Sequence, residues 1–266
     1  LASNDETDGD RAAGTSAVQG PSAPPIVAIL FDAVGTLIDA APPVPLAYQS
    51  IAATFGSRLT LDQIRQRFRR ALHRGGDSQN PASLARSATS EPAERERWRE
   101  IVAEVIDDVP LAAADDLFAA LWRHFAEPAS WRLLDGAAST WRALRERGYR
   151  LGVASNFDSR LRTVLAGLPP LEDLADSDPS HLFISSEIGF PKPDPRFFRA
   201  VEERLQLAPS QILLVGDDWT NDIMGARSAG WSTVWFDRRD FASPEPATRV
   251  GQLSELLALL PPRLAP

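Results

Sequence analysis

Of the 28 basic residues in this chain, 27 are arginine and one is lysine. The lysine is Lys192, set between Pro191 and Pro193 in "EIGFPKPDPRFF". Drift in an Arg-biased chain would leave such a survivor. A chemical reason is that ammonium is a compact point charge with rotatable donors, whereas guanidinium is a wide planar fork. A tight site facing small anions accepts only the first. The acids available to meet it are Asp32, Asp217, Asp218 and Asp222, with the Ser155 hydroxyl and the Asn156 amide beside them. Crowded carboxylates repel unless a cation or a proton joins them. Oxygen ligands of this kind suit Mg²⁺. A carboxylate beside Mg²⁺, with Lys and Ser opposite, makes an anion pocket of phosphate size. Each residue also has a plainer use. Asp32 can be a turn residue before Gly35, the acids near 217–222 can favour a helix dipole, and Ser155 and Asn156 can cap the helix that follows.

The elements around these residues decide between the uses. Residues 26–31, "IVAILF", form a continuous apolar run suited to a strand buried on both faces. Similar runs recur at 149–156, 181–187, 211–218 and 231–237. Helical patterns separate them, and those before the second and fifth runs end in Gly148 and Gly230. This rhythm predicts an α/β fold with a doubly wound parallel sheet. Ligands of such sheets bind outside the carboxyl ends of the strands. Asp32, Ser155 with Asn156, and Asp217 with Asp218 all fall there. Asp222 comes one turn later, and Lys192 follows the third run. As turn or capping residues they would share that edge only by coincidence.

Residues 42–131 break the rhythm and carry only helical periodicity. Thr60 and Gln63 have capping-box spacing. Ile64, Phe68 and Leu72 form one apolar stripe; Trp98, Ile101, Val102 and Val105 form a second; Leu117, Leu121 and Phe125 form a third. These stripes read as helix-packing core. A Gly-, Ser- and Pro-containing loop at 75–93 is expected to be mobile. The predicted organisation is a disordered tail at 1–25, a core of 26–41 and 132–266, and an inserted all-helical domain at 42–131.

The bulk numbers exclude several classes. The net charge of −8 argues against nucleic acid or an anionic membrane as partner. There is no cysteine, hence no disulfide and no thiolate metal site. No apolar run approaches the ~18 residues of a membrane span, and residues 1–25 lack the apolar segment of a signal peptide. We expect a cytoplasmic protein with a small-molecule substrate; the sequence carries no signal of oligomeric state. His73, His124 and His181 have no ligand spacing. Phe157 and Trp219, which follow the motif residues, either line the site or pack the loops.

Taken together these residues resemble the haloacid dehalogenase-like superfamily of hydrolases over roughly 26–237. "FDAVGTL", "SN" at 155–156, "PKPDP" and "GDDWTND" are similar to its four motifs in order. "SNFDSRL" and "GFPKPDPRFF" are most similar to the branch containing the rhythmically expressed gene 2 proteins. The resemblance implies a Rossmann-like core with the helical insertion as cap, and a Mg²⁺-dependent phosphohydrolase acting on a small phosphorylated metabolite. It implies Asp32 as the nucleophile that forms an aspartyl-phosphate. Thr36 and Ser155 would hold the motif and the phosphoryl group. Asn156 would orient its loop or contact substrate, and Lys192 would bridge nucleophile and phosphoryl oxygens. Mg²⁺ would sit on Asp32, Asp217 and the backbone carbonyl of Val34, with Asp222, and in some arrangements Asp218, completing the shell.

One position departs from this pattern. The phosphatases carry a second Asp two residues after the nucleophile, as general acid and base, and here that residue is Val34. Valine moves no proton, and positioned acid–base catalysis is worth about 10²–10⁴-fold. Three accounts stay open: substrates with good leaving groups, a proton from the substrate or cap, or a phospho-ligand binder with little turnover. A metal-independent haloacid dehalogenase is a further alternative, but it leaves the acids at 217, 218 and 222 unexplained. Lys192→Arg is expected to lose activity and leave stability nearly intact.

Overall fold

Strand β1 (Ala28–Phe31) is apolar on both faces, and each of its residues is buried. The computed structural model describes residues 25–74, 88–172, 174, 181–238 and 246–263. The expected tail lies outside these residues apart from Pro25, as does most of the loop expected at 75–93. Strands β2 (Ile38–Ala40), β3 (Trp131–Leu133), β4 (Arg150–Ser155), β5 (Leu182–Ile184), β6 (Ile212–Gly216), β7 (Ser232–Phe236) and β8 (Arg249–Val250) follow. Six of them form one parallel sheet in the order β5-β4-β1-β6-β7-β8, with β1 between β4 and β6. The two-residue period of strands sorts their side chains. Ile29, Phe31, Leu213 and Val215 meet Trp141 and Leu144 on one face. Ala28, Leu30, Ile212 and Leu214 meet Phe197, Phe198 and Val201 on the other. This is the doubly wound α/β core that the sequence rhythm predicts.

Three details differ from the sequence reading. The third apolar run is a strand only over β5. From Ser185 the chain coils into a helical turn, because the Ser185 hydroxyl and the Ser186 amide both donate to the carbonyl of Phe157. β8 was not foreseen, since two residues with an Arg leave no apolar run. Nor was the antiparallel ribbon of β2 and β3, which pairs Ile38 with Leu133 and Ala40 with Trp131. It joins the chain entering and leaving the helical segment; the expected break at 41/42 falls just after β2 and that at 131/132 inside β3.

Helices α1 (Val44–Thr54), α2 (Leu61–Arg74), α3 (Glu91–Val105) and α4 (Ala114–His124) fill the interval. The Thr60–Gln63 capping box forms in both directions. Tyr48, Ile64, Ile101, Val102, Leu117 and Leu121 make one buried cluster. Leu72, at the end of its stripe, is 38% exposed and not part of the core. No helix among the described residues is long and apolar enough to cross a membrane.

The helical segment is latched to the sheet at the start of α3. The Glu91 carboxylate accepts the Ser159 amide at 2.8 Å, the Ser159 hydroxyl at 2.7 Å and the Ser186 hydroxyl. Beside it the Thr89 amide donates to the carbonyl of Gly189. Burial works to raise the Glu91 pKa, but hydrogen bonds from Ser186 and Ser159, with Arg160 nearby, hold it below the usual glutamate range. A depressed folded-state pKa stabilises above the unfolded value and ceases to do so as pH falls through the folded one. Glu91→Gln is therefore expected to lower the melting temperature at pH 7 by about 2–4 °C. The difference from wild type should shrink in acid, as pH falls below the usual glutamate range and Glu91 takes up its proton. Melting curves at pH 7 and in acid check this.

Candidate active site

The loops leaving β1, β4 and β6 meet at the carboxyl edge of the sheet. Asp32 follows β1, and its amide donates to the Val215 carbonyl at 2.9 Å. The chain then folds back at once: Leu37 and Ile38 donate to the Ala33 carbonyl, and Gly35 takes φ +92°. A Cβ at Gly35 would lie 2.5 Å from Asp217 Oδ2, so this turn admits only glycine beside that carboxylate. Gly216, the last residue of β6, likewise has no Cβ to collide with the Asp222 carboxylate. The two glycines let two acids lie directly on the backbone.

Lys192 reaches into this cluster and is 2% exposed. Its ammonium donates to Asp32 Oδ1 at 2.9 Å, Asp222 Oδ1 at 2.5 Å and the Ala154 carbonyl at 2.6 Å. Three donors find three acceptors in three directions, which a planar guanidinium does not match. The Asn156 amide grips the main chain of Lys192: Nδ2 donates to its carbonyl at 2.8 Å, and Oδ1 accepts its amide at 2.7 Å. The Thr36 hydroxyl donates to Asp217 Oδ1 at 3.2 Å. Asp218 faces elsewhere. It caps the helical turn Trp219–Met224, accepting the Thr220 and Asn221 amides and the Asn221 side chain.

One oxygen each of Asp32, Asp217 and Asp222 lies within 4.8 Å of the others. Fully ionised, these three carboxylates would outnumber the single ammonium by two charges, and that repulsion works on their proton affinities. Burial, then Asp32 and then Asp218, push the Asp217 pKa up to about 7. Burial also raises Asp222, against the pull of Lys192. Burial alone would lower the lysine, but Asp222 and Asp32 outweigh it and hold the ammonium charged. Hard oxygen donors with surplus negative charge in a buried cleft fit a small divalent cation.

A family model of haloacid dehalogenase-like hydrolases matches residues 26–230. The chain belongs to that family. It is 33% identical over 205 residues to haloacid dehalogenase-like hydrolase domain-containing protein 3 of Mus musculus, covering 76% of this chain and 78% of that protein. It is 24% identical over 225 residues to the rhythmically expressed gene 2 protein of Drosophila melanogaster, covering 80% and 84%. Among solved structures, a haloacid dehalogenase-like (HAD) phosphatase from Thermococcus onnurineus shares the fold, with a TM-score of 0.59 at 24% identity over 88% of this chain and 97% of that one. The expected resemblance, including its branch, is thus borne out.

Around this haloacid dehalogenase-like core the remaining motif residues divide. Ser155 ends β4, buried, with its hydroxyl outside every side-chain hydrogen bond among the described residues. Val34 is 38% exposed and lines a cavity of about 420 Å³ between the sheet edge and the helical segment. Phe157 lines this cavity too, whereas Trp219 packs edge-on against Trp235 at 5.1 Å. Of the histidines, His124 meets the Ser130 hydroxyl. Sequence reasoning missed the Ala154 carbonyl as third acceptor for Lys192, since no backbone acceptor announces itself. It also missed Asp158, which is 1% exposed and pairs side by side with Arg160. Residues two apart give no helical pairing signal.

Proposed function

We propose that the chain is a Mg²⁺-dependent phosphohydrolase that cleaves a small phosphorylated substrate through an aspartyl-phosphate on Asp32. The observation that carries this reading is the surplus charge at the sheet edge: Asp32, Asp217 and Asp222 converge on one ammonium. Asp32, Asp217 and the Val34 carbonyl would hold the ion, with Asp222 completing the set. Asp218 is spent on its cap and at most stiffens the loop. When bound, Mg²⁺ would neutralise the phosphoryl oxygens and so let an anionic nucleophile approach. Asp32 supplies that nucleophile. Lys192 fixes the carboxylate and adds positive charge beside the transferring group, and Asn156 keeps Lys192 aimed. Ser155 has a hydroxyl left to donate. Residues 42–131 act as the cap over this edge.

The reading is tested by phosphate release from acetyl phosphate, an aryl phosphate and a panel of sugar phosphates, with Mg²⁺ and with EDTA. Release that depends on metal is expected, and its absence from every substrate sinks the proposal. Dehalogenation leaves Asp217, beyond the hydrogen bond from Thr36, without a task, and it would show itself as halide release from 2-chloropropionate in EDTA.

Val34 favours a second reading, a phospho-ligand binder with little turnover. Being well exposed, position 34 tolerates a carboxylate. Val34→Asp is expected to raise kcat on sugar phosphates by at least about tenfold, toward the 10²–10⁴ range of positioned acid–base catalysis. A wild type already fast on those substrates removes the second reading.

A further inference from the structure

Resting on the phosphohydrolase reading, we propose that the cavity beside Val34 seats the leaving group of the substrate, and that this group is an aryl alcohol: the substrate class is phosphate monoesters of apolar phenols. The cavity reaches the acid cluster through Val34, Asn156 and Asp218, from the same three loops that carry Asp32, Lys192's support and Asp217. Its volume of about 420 Å³ lies within the range of small-molecule pockets, about 300–1,000 Å³.

The walls select against polar cargo. Tyr48, Phe68, Trp98, Trp122, Trp131 and Phe157 supply aromatic surface from both the helical segment and the core. Among the described lining residues only Arg160 and Asp218 are charged, and both are occupied. The Arg160 guanidinium is forked onto Asp158 and lies 3.4 Å from the centre of the Trp122 ring. Asp218 caps its turn, and the Asn156 amide holds Lys192 at both ends. The Tyr48 hydroxyl and the Trp98 and Trp122 indole N–H groups are the polar atoms left on the wall, enough for one or two substrate oxygens, so the further hydroxyls of a sugar entering here would stay unpaired. A ring would stack on the walls instead.

The chemistry makes the same selection independently. With valine at position 34, no acid there protonates the departing oxygen. A phenol has a pKa of about 10, against about 16 for bulk water, so phenolate leaves without a donated proton. In the first step an Asp32 oxygen forms a bond to phosphorus, and the ester P–O bond breaks with its electron pair going to the phenolate. In the second, water attacks phosphorus. It returns the Asp32 carboxylate, releases inorganic phosphate, and gives a proton to solvent or to the phenolate. No oxidant or further reactant is needed.

The experiment compares kcat/KM in Mg²⁺ for 1-naphthyl phosphate, phenyl phosphate, glycerol 2-phosphate and acetyl phosphate. Naphthyl phosphate is expected to exceed glycerol 2-phosphate by at least about 100-fold and phenyl phosphate by about tenfold, since roughly 1.4 kcal/mol of ring burial is tenfold. Narrowing the cavity with Leu72→Trp at its rim, and independently with Val102→Phe deeper inside, should remove most of the naphthyl preference over phenyl phosphate. Melting curves and acetyl phosphate turnover identify any variant that fails to fold, and the wild-type comparison decides without them. Turnover of acetyl phosphate with glycerol 2-phosphate equal to or better than naphthyl phosphate overturns the aryl assignment and leaves the phosphohydrolase reading standing. No turnover of acetyl phosphate in Mg²⁺ overturns both.

Discussion

Asp32→Asn is expected to lower phosphate release by about 10⁴–10⁶-fold, the range seen when a covalent nucleophile is removed. The amide keeps the shape of the carboxylate but cannot form an acyl phosphate. Its effect on stability should run the other way. Asp32 is the second cause, after burial, that pushes Asp217 above the usual carboxylate range, and it also raises Asp222. Removing its charge relieves that repulsion, and Lys192 keeps Asp222 and the Ala154 carbonyl as partners. In EDTA the variant should melt at or above the wild-type temperature. Phosphate release and melting curves on the same preparation make the check. More than about a tenth of wild-type activity excludes Asp32 as nucleophile. Inactivity accompanied by a large loss of stability would instead mark Asp32 as a structural partner of Lys192.

The contrast between Asp218 and Asp222 shows where reading along the chain stops. Both acids follow Gly216 within six residues, and both were candidates for a metal shell, Asp222 ahead of Asp218. Their backbone positions separate them: Asp218 stands where its carboxylate meets the free amides of Thr220 and Asn221, and Asp222 lies one turn further, facing Lys192. The strands were legible because burial on both faces imposes a continuous apolar run, and the carboxyl-edge rule then located the acids. β8 and the β2–β3 ribbon were not, because two or three residues carry no period. The cavity was hidden for another reason. Phe68, Leu72 and Trp98 lie on helical stripes of the kind that fills a core, and a cavity wall needs the same apolar residues at the same spacing. Only the position of the facing helices tells a wall from an interior.

Lys192→Arg is expected to abolish most activity, as its chemistry suggested, but the structure changes the expectation for stability. The lysine is enclosed, with each donor directed at one oxygen. A guanidinium is larger and flat, so it must displace packed neighbours at a cost of about 1–3 kcal/mol. Lys192→Met keeps the volume but leaves Asp32 and Asp222 without a counter-charge, and losing one member of a buried pair costs about 3–5 kcal/mol. Mg²⁺ should restore part of the stability of the Met variant, because an ion among the same carboxylates supplies the missing charge, and little of its activity. Neither substitution touches the loop's own anchor, since Asn156 holds the main chain of residue 192 whatever its side chain. Loss of activity in both variants would therefore report the ammonium and not a displaced loop. Melting curves with and without Mg²⁺, beside phosphate release, separate the two effects. An Arg variant with wild-type turnover would return the lone lysine to an accident of composition, and with it the claim that this edge of the sheet is shaped for a small cation facing small anions.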